Sequence, residues 1–196
     1  MDAPDLPNEE TLMAAYVAGD GRAFEQLFAR LAPRLHRFFQ RSFRSEATAD
    51  DLLQKTFLKL HRARDTYKPD MRVAPWAFAI AARVRLDEFR RRKRLAEDGD
   101  EEALARADEA QAAEARERDE SAIDGDTADA VRRAVDALPE SQRVVIHLNR
   151  FEGMTFAEIA RVLGTTEGAI KLRAFRAYGA LRQALAPLAP SGTVTS

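Results

Sequence analysis

Between Ala96 and Asp129 the chain carries fourteen Asp and Glu residues against three arginines, Arg106, Arg116 and Arg118, a local net charge of −11. No other feature constrains the fold as strongly. The stretch "RADEAQAAEARERDE" has enough Ala, Glu and Arg for transient helix but no apolar stripe to bury, so it cannot join a packed core. A chain of 196 residues interrupted in this way must build its cores on either side. The whole sequence carries −1, so the remainder carries +10, and two basic blocks bridged by an acidic one suggest nucleic-acid binding at both ends. The same pattern fits a solvated tether between ordinary domains, and charge alone does not choose.

Each flanking block reads as helix. In the first, residues 8–94, Asn8 can cap "EETLMAAYVAG", and "RAFEQLFARL" sets Phe24, Leu27, Phe28 and Leu31 at i, i+3, i+4 and i+7. Pro33 is expected to open a further helical element through "RLHRFFQRSF", with Leu35, Phe38 and Phe39 inward. A third helix runs from about Thr48 to Arg64, and Pro75, placed as a first helical residue, starts a long one through Arg94. In the second block, residues 127–186, Asp126 or Thr127 caps one helix and Pro139 starts the next, with Val144, Val145 and Leu148 apolar. Thr155 and Glu158 have capping-box spacing, Gly164 ends that helix, and the last runs from about Thr166 to Leu185. With only 9 Gly and 8 Pro and no strand pattern, the expected fold is all-α. It comprises two small helical domains joined by a flexible acidic linker, 95–126, with a short polar tail at 187–196.

Several function classes fall away. Without cysteine there is no disulfide framework, thiolate zinc site or cysteine nucleophile. His36, His61 and His147 fall in separate helices with no HExxH, GxSxG or P-loop spacing around them, so no catalytic residue, metal or cofactor is expected. The start, "MDAPDLPNEE", is acidic and lacks an apolar core, and no run approaches the roughly 18–20 apolar residues of a membrane span. The expectation is a cytoplasmic protein without direct membrane contact.

Three stretches carry recognition chemistry. "MTFAEIARVLGTTEGAIKLRAFRAYGAL", 154–181, has the layout of a helix-turn-helix. Ile170, Ala174, Ala177 and Leu181 recur on the inner side of its second helix. Lys171, Arg173 and Arg176 lie off that stripe and can reach phosphates or guanine edges. Thr166 and Glu167 stand at the end that commonly meets bases, and Gly168 would let the backbone approach DNA closely. A helical hairpin with a merely solvated basic face is the alternative. In "TADDLLQKTFLKLHRAR", Leu53, Phe57 and Leu60 form an inward stripe, while Asp51, Gln54, Lys55 and Leu58 form a second line. A Leu on an otherwise polar line suggests contact with another protein. "PWAFAIAARVRLDEFRRRKR" places an aromatic at its start and five contiguous cations, Arg90 to Arg94, at its end, which suits separated DNA strands. A buried, purely structural Trp76 is the competing reading.

These stretches occur in one order with "AGDGRAFEQLFARLAPRLHRFF" before them and "ALPESQRVVIHLNRFEGMTFAEIARVLGTTEGAIKLRAFRA" closing the series. In that order the chain resembles the extracytoplasmic-function (ECF) sigma factors of the sigma-70 family, bacterial RNA polymerase initiation subunits. The resemblance implies sigma region 2 over 8–94 and a helix-turn-helix region 4 over 127–186. It implies that Asp50, Asp51, Leu52, Gln54 and Leu58 dock on the β′ clamp helices of core polymerase, with the β flap a second contact. Trp76, Arg83, Asp87, Arg90 and Arg91 would read and help melt the −10 promoter element, a flipped base being held by the loop around 68–74. Thr166, Glu167, Gly168, Lys171, Arg173 and Arg176 would enter the major groove at the −35 element. Promoter selection, with no bond made by this subunit, and an anti-sigma partner are implied as well.

The chain departs from the family pattern at Lys55, where "QETF" has Glu, at Arg83, where Asn is often found, and at Leu172, where Ser is frequent. The family's linker threads toward the active-site cleft and RNA exit path, where the net −11 segment would act as a polyanion displaced by growing RNA. The rival reading is a stand-alone helix-turn-helix transcriptional regulator. It explains 154–181 but leaves "DDLLQKTFLKL" and the Trp76 helix without a purpose.

Overall fold

The computed structural model describes residues 7–43, 45–97 and 126–188. Most of the acidic bridge, and with it any role in the RNA exit path, lies outside them. Among the described residues every regular element is helical, and no helix is long and apolar enough to cross a membrane.

The first half holds α1 (Glu9–Val17), α2 (Gly21–Phe43), α3 (Glu46–Ala63) and α4 (Val73–Glu97). Asn8 caps α1 by accepting from the Thr11 N–H at 2.7 Å. Ser45 caps α3, accepting from the Thr48 N–H at 3.2 Å, so that helix begins two residues before Thr48. The new element expected at Pro33 is absent, because α2 runs unbroken through it. A proline inside a helix costs about 3 kcal/mol. Leu27, Leu31, Leu35, Phe38 and Phe39 form one continuous buried line on both sides of Pro33. Each such side chain contributes roughly 1.5–3 kcal/mol of burial, so packing outweighs the missing hydrogen bond. Pro75 is the third residue of α4 rather than its first. The Val73 N–H donates to Glu10 Oε1 of α1 at 3.1 Å, a cap supplied from another helix.

The second half holds α5 (Asp126–Asp136), α6 (Glu140–Arg150), α7 (Phe156–Leu163) and α8 (Glu167–Leu185). The capping box forms as the spacing predicts. The Glu158 N–H donates to Thr155 Oγ1 at 3.2 Å, and the Thr155 N–H to Glu158 Oε2 at 2.8 Å. Gly164 ends α7 at φ +63°, a left-handed position where a Cβ would be strained. Thr166 then caps α8 by accepting from the Ala169 N–H at 3.2 Å.

The second half folds back on the first. α7 packs along α4, and one apolar cluster runs from Phe38 and Phe78 in the first half to Val145, Leu148, Met154 and Ile159 in the second. A smaller cluster of Leu138, Ile146 and Ala177 closes the far side of the helix-turn-helix.

Candidate nucleic-acid interface

On α3 the structure separates two faces. Ala49, Leu52, Thr56 and Leu60 are buried, while Asp51, Gln54, Lys55 and Leu58 are exposed, Leu58 at 52%. Leu52, expected on the docking line with Asp50, Asp51, Gln54 and Leu58, is 1% exposed and belongs to the core. The reason is phase: Ala49, Leu52, Thr56 and Leu60 fall on the side turned to α2 and α4. Asp50 pairs with His36 at 3.1 Å, and Asp51 is held by Lys55 one turn on. Beside this line Phe24, Phe28, Leu53, Phe57 and Leu58 form an open apolar groove of about 380 Å³ between α2 and α3. Phe28 stays 41% exposed there, although it shares one helical spacing with the buried Leu27 and Leu31.

On α4 an outward row carries Arg83, Leu86, Asp87 and Arg90, all exposed. Trp76 is half-buried on the core, its ring edge-on to Tyr67 at 5.2 Å. It is therefore partly structural and partly available beside the loop preceding α4. Asp87 lies 3.5 Å from Lys59 and 3.9 Å from Arg90. The five-cation run is not one uniform surface. Arg91 and Arg92 both bind Glu88, which is 5% exposed, at 2.7 and 2.9 Å. Burial would raise the Glu88 carboxyl, but the hydrogen bonds from the two arginines hold it below the usual carboxylate range. Arg92 also donates to Thr48 at 3.0 Å and lies over the Phe43 ring at 4.8 Å, so it is a structural residue. Arg91 keeps half its side chain in solvent but is committed to Glu88.

On α8, Ile170, Ala174 and Ala177 are buried, and the opposite side presents Glu167, Lys171 and Phe175 in one row with Gly168, Leu172 and Arg176 in the next. Lys171 pairs with Glu167 at 2.8 Å. Thr166 spends its hydroxyl on the helix cap, and Arg173 is half-buried at the flank of the exposed rows. A Cβ on Gly168 would meet nothing within 4 Å, so the chain's own packing does not demand glycine there.

The ion pairs that clasp the halves together were not legible in the sequence. Arg34 binds Glu152 at 2.8 Å, Arg72 binds Glu158 at 3.1 Å and Arg85 binds Glu140 at 2.9 Å. Arg72 belongs to the loop preceding α4, so the loop and the helix-turn-helix are directly connected. Partners so far apart in sequence leave no local spacing from which they could be read.

His147 sits at the centre of this contact, 3% exposed. Arg41 donates to its Nδ1 at 2.8 Å and covers the Phe151 ring at 4.1 Å. An accepting Nδ1 assigns the ring proton to Nε2, which is buried without a hydrogen bond. Glu152 Oε1 lies 3.5 Å from Nε2 and favours a charged ring. Burial, followed by the charges of Arg41, Arg37 and Arg34, outweighs it and pushes the pKa down to about 3. The unfolded chain takes up this proton near pH 6.5 and the folded chain resists it, so stability is full above that value and falls as pH drops toward 3. Between pH 7 and pH 5 the expected loss is about 2 kcal/mol. His147→Gln should flatten that slope in melting temperatures taken at pH 7, 6 and 5. Equal slopes for both proteins would mean that His147 does not carry the acid sensitivity.

Residues 27–95 match the family Sigma-70 region 2, and residues 128–181 match Sigma-70, region 4. The RNA polymerase sigma factor CarQ of Myxococcus xanthus is 37% identical over 180 residues, which cover 90% of this chain and 97% of that protein. The ECF RNA polymerase sigma factor SigM of Mycobacterium tuberculosis is 35% identical over 178 residues, 91% of this chain and 85% of SigM. Among solved structures, CnrH in complex with the cytosolic domain of CnrY superposes with a TM-score of 0.60 at 28% identity, over 93% of this chain and 99% of that one. With both sigma-70 regions matched in order and relatives similar along nearly their whole length, the chain belongs to the extracytoplasmic-function RNA polymerase sigma factors of the sigma-70 family, which bind core polymerase and direct promoter-specific initiation.

Proposed function

We propose that three outward faces divide this work. The exposed line of α3, Asp50, Asp51, Gln54 and Leu58, docks on the β′ clamp helices, with the Phe24–Phe28–Phe57 groove receiving apolar side chains beside it. The outward row of α4, with Arg83, Asp87 and Arg90, follows the opened −10 strand, and Trp76 stands next to the loop that holds a flipped base. The exposed rows of α8 enter the major groove of the −35 element, Arg176 and Lys171 supplying charge. Arg91 and Arg173 act from the edges of these faces, Thr166 by fixing the helix end and Leu52 by supporting α3 from within. The polymerase makes the chemical bonds, in the cytoplasm. The anti-sigma partner that the family resemblance implies fits this reading, and CnrH was solved in complex with the cytosolic domain of CnrY.

The observation that carries the proposal is the groove beside α3: a volume of about 380 Å³ lined largely by apolar side chains, the exposed Leu58 among them. A stand-alone regulator gripping duplex DNA through α8 has no use for it. The test is transcription in vitro by bacterial core RNA polymerase on a pool of genomic promoter fragments, with and without the chain. Transcripts that start only on its addition are expected, and their aligned upstream sequences give both elements. Tight duplex binding with no polymerase-dependent transcripts would favour the stand-alone regulator.

A further inference from the structure

The exposed face of α8 carries a feature that phosphate binding does not use. Phe175 is 77% exposed and Leu172 is 49% exposed, and they stand one turn apart between Lys171 and Arg176. Neither supports the fold from where it stands. The buried side of the helix is supplied by Ile170, Ala174 and Ala177. Two large apolar side chains kept in water at the centre of a face flanked by cations need a partner that is apolar at one point and anionic around it.

The major groove of duplex DNA offers that combination. The one apolar group on its floor is the 5-methyl of thymine, with phosphates along both walls. Leu172 and Phe175 are separated by about 4.5 Å along the helix axis, comparable to the roughly 3.4 Å rise between stacked bases. Gly168, one turn before Leu172 in the same row, leaves open space where a side chain would hold the helix off the groove floor. We propose that Leu172 and Phe175 are specificity-determining residues that read the 5-methyl groups of neighbouring thymines in the −35 element. The inference deepens the assignment of α8 to that element and rests on it. Leu172, where a Ser would offer a hydroxyl, exchanges a hydrogen-bonding preference for a methyl-contacting one.

Replacing thymine by deoxyuracil removes the methyl group and leaves base pairing and charge unchanged. The full chain is assembled with core polymerase on a promoter from which it transcribes, and each −35 thymine is replaced in turn on either strand. At one or two positions, promoter occupancy should fall roughly fourfold per methyl lost. A Leu172→Ala, Phe175→Ala double variant should bind thymine and deoxyuracil promoters alike while still assembling with core. Both side chains are exposed, so the variant folds, and circular dichroism verifies this. A wild-type holoenzyme indifferent to deoxyuracil at every position overturns the inference, even while transcription upholds the −35 assignment. Weakened core assembly by the double variant, with no thymine effect, overturns it in favour of a protein contact. Absence of transcripts from every parent promoter removes the assignment beneath it as well.

Discussion

Replacing Leu58 by Asp is expected to weaken binding to core polymerase roughly 100-fold while leaving the melting temperature almost unchanged. The two halves of that expectation have separate causes. Leu58 is half exposed on the outer line of α3, so the fold loses little when it goes. In a complex it would lie against the apolar groove formed with Phe24, Phe28 and Phe57, where a carboxylate is desolvated without a partner. The effect should exceed that of Lys55→Glu, which restores the residue usual in the family at an exposed position already paired with Asp51. Fluorescence anisotropy of labelled protein titrated with core enzyme measures both. Normal assembly by the Leu58→Asp variant would move the polymerase contact away from this face.

Glu140→Ala should loosen the contact between the two halves. Glu140 accepts from Ser42 Oγ at 3.2 Å and pairs with Arg85 at 2.9 Å and Arg143 at 3.4 Å. The Arg85 side chain is only 12% exposed, lies near the Phe38 and Phe89 rings, and its Nε has no hydrogen-bond partner. Removing the carboxylate strands that guanidinium in a poorly hydrated place. One-sided loss of a buried pair costs about 3–5 kcal/mol, and the partial exposure of Glu140 argues for the lower end of that range. Melting should fall by roughly 5–10 °C, and the radius of gyration from small-angle scattering should rise as the second half swings away. Changing Arg85 to Leu in the same protein should recover part of the loss, since no charge is then stranded. Unchanged dimensions and melting for Glu140→Ala would mean that the apolar α4–α7 contact holds the halves without this pair.

What could be read from the sequence was local. Thr155 and Glu158 are three residues apart, Gly164 directly follows the last residue of its helix, and the second line of α3 repeats at three and four residues. Each of these depends on interactions within one or two turns, so spacing alone places them. Leu52 was misplaced because its neighbours Asp50 and Asp51 do face outward, and only the line through Ala49, Thr56 and Leu60 shows that it turns in. The same limit applied to Arg91 and Arg92. They looked like free cations for DNA until Glu88, three and four residues before them, was seen to be buried. Pro33 misled for a different reason: its local cost is real, but the α2 side chains that override it are buried only because other helices pack over them. The contact between the halves lay beyond the sequence altogether, because no spacing rule connects Arg34 with Glu152 or Arg41 with His147.

The position of Glu158 bears on how reversible that contact is. Its carboxylate receives the Thr155 N–H and hydroxyl and, from the other half of the molecule, the Arg72 guanidinium. If Arg72 leaves, the two Thr155 bonds remain, and the first turn of α7 keeps its terminus intact. The helix-turn-helix thus stays self-contained on departure, with no frayed end to repair before it can meet another surface. A separation here would exchange one ion pair for hydration and leave the helix-turn-helix folded as it stands.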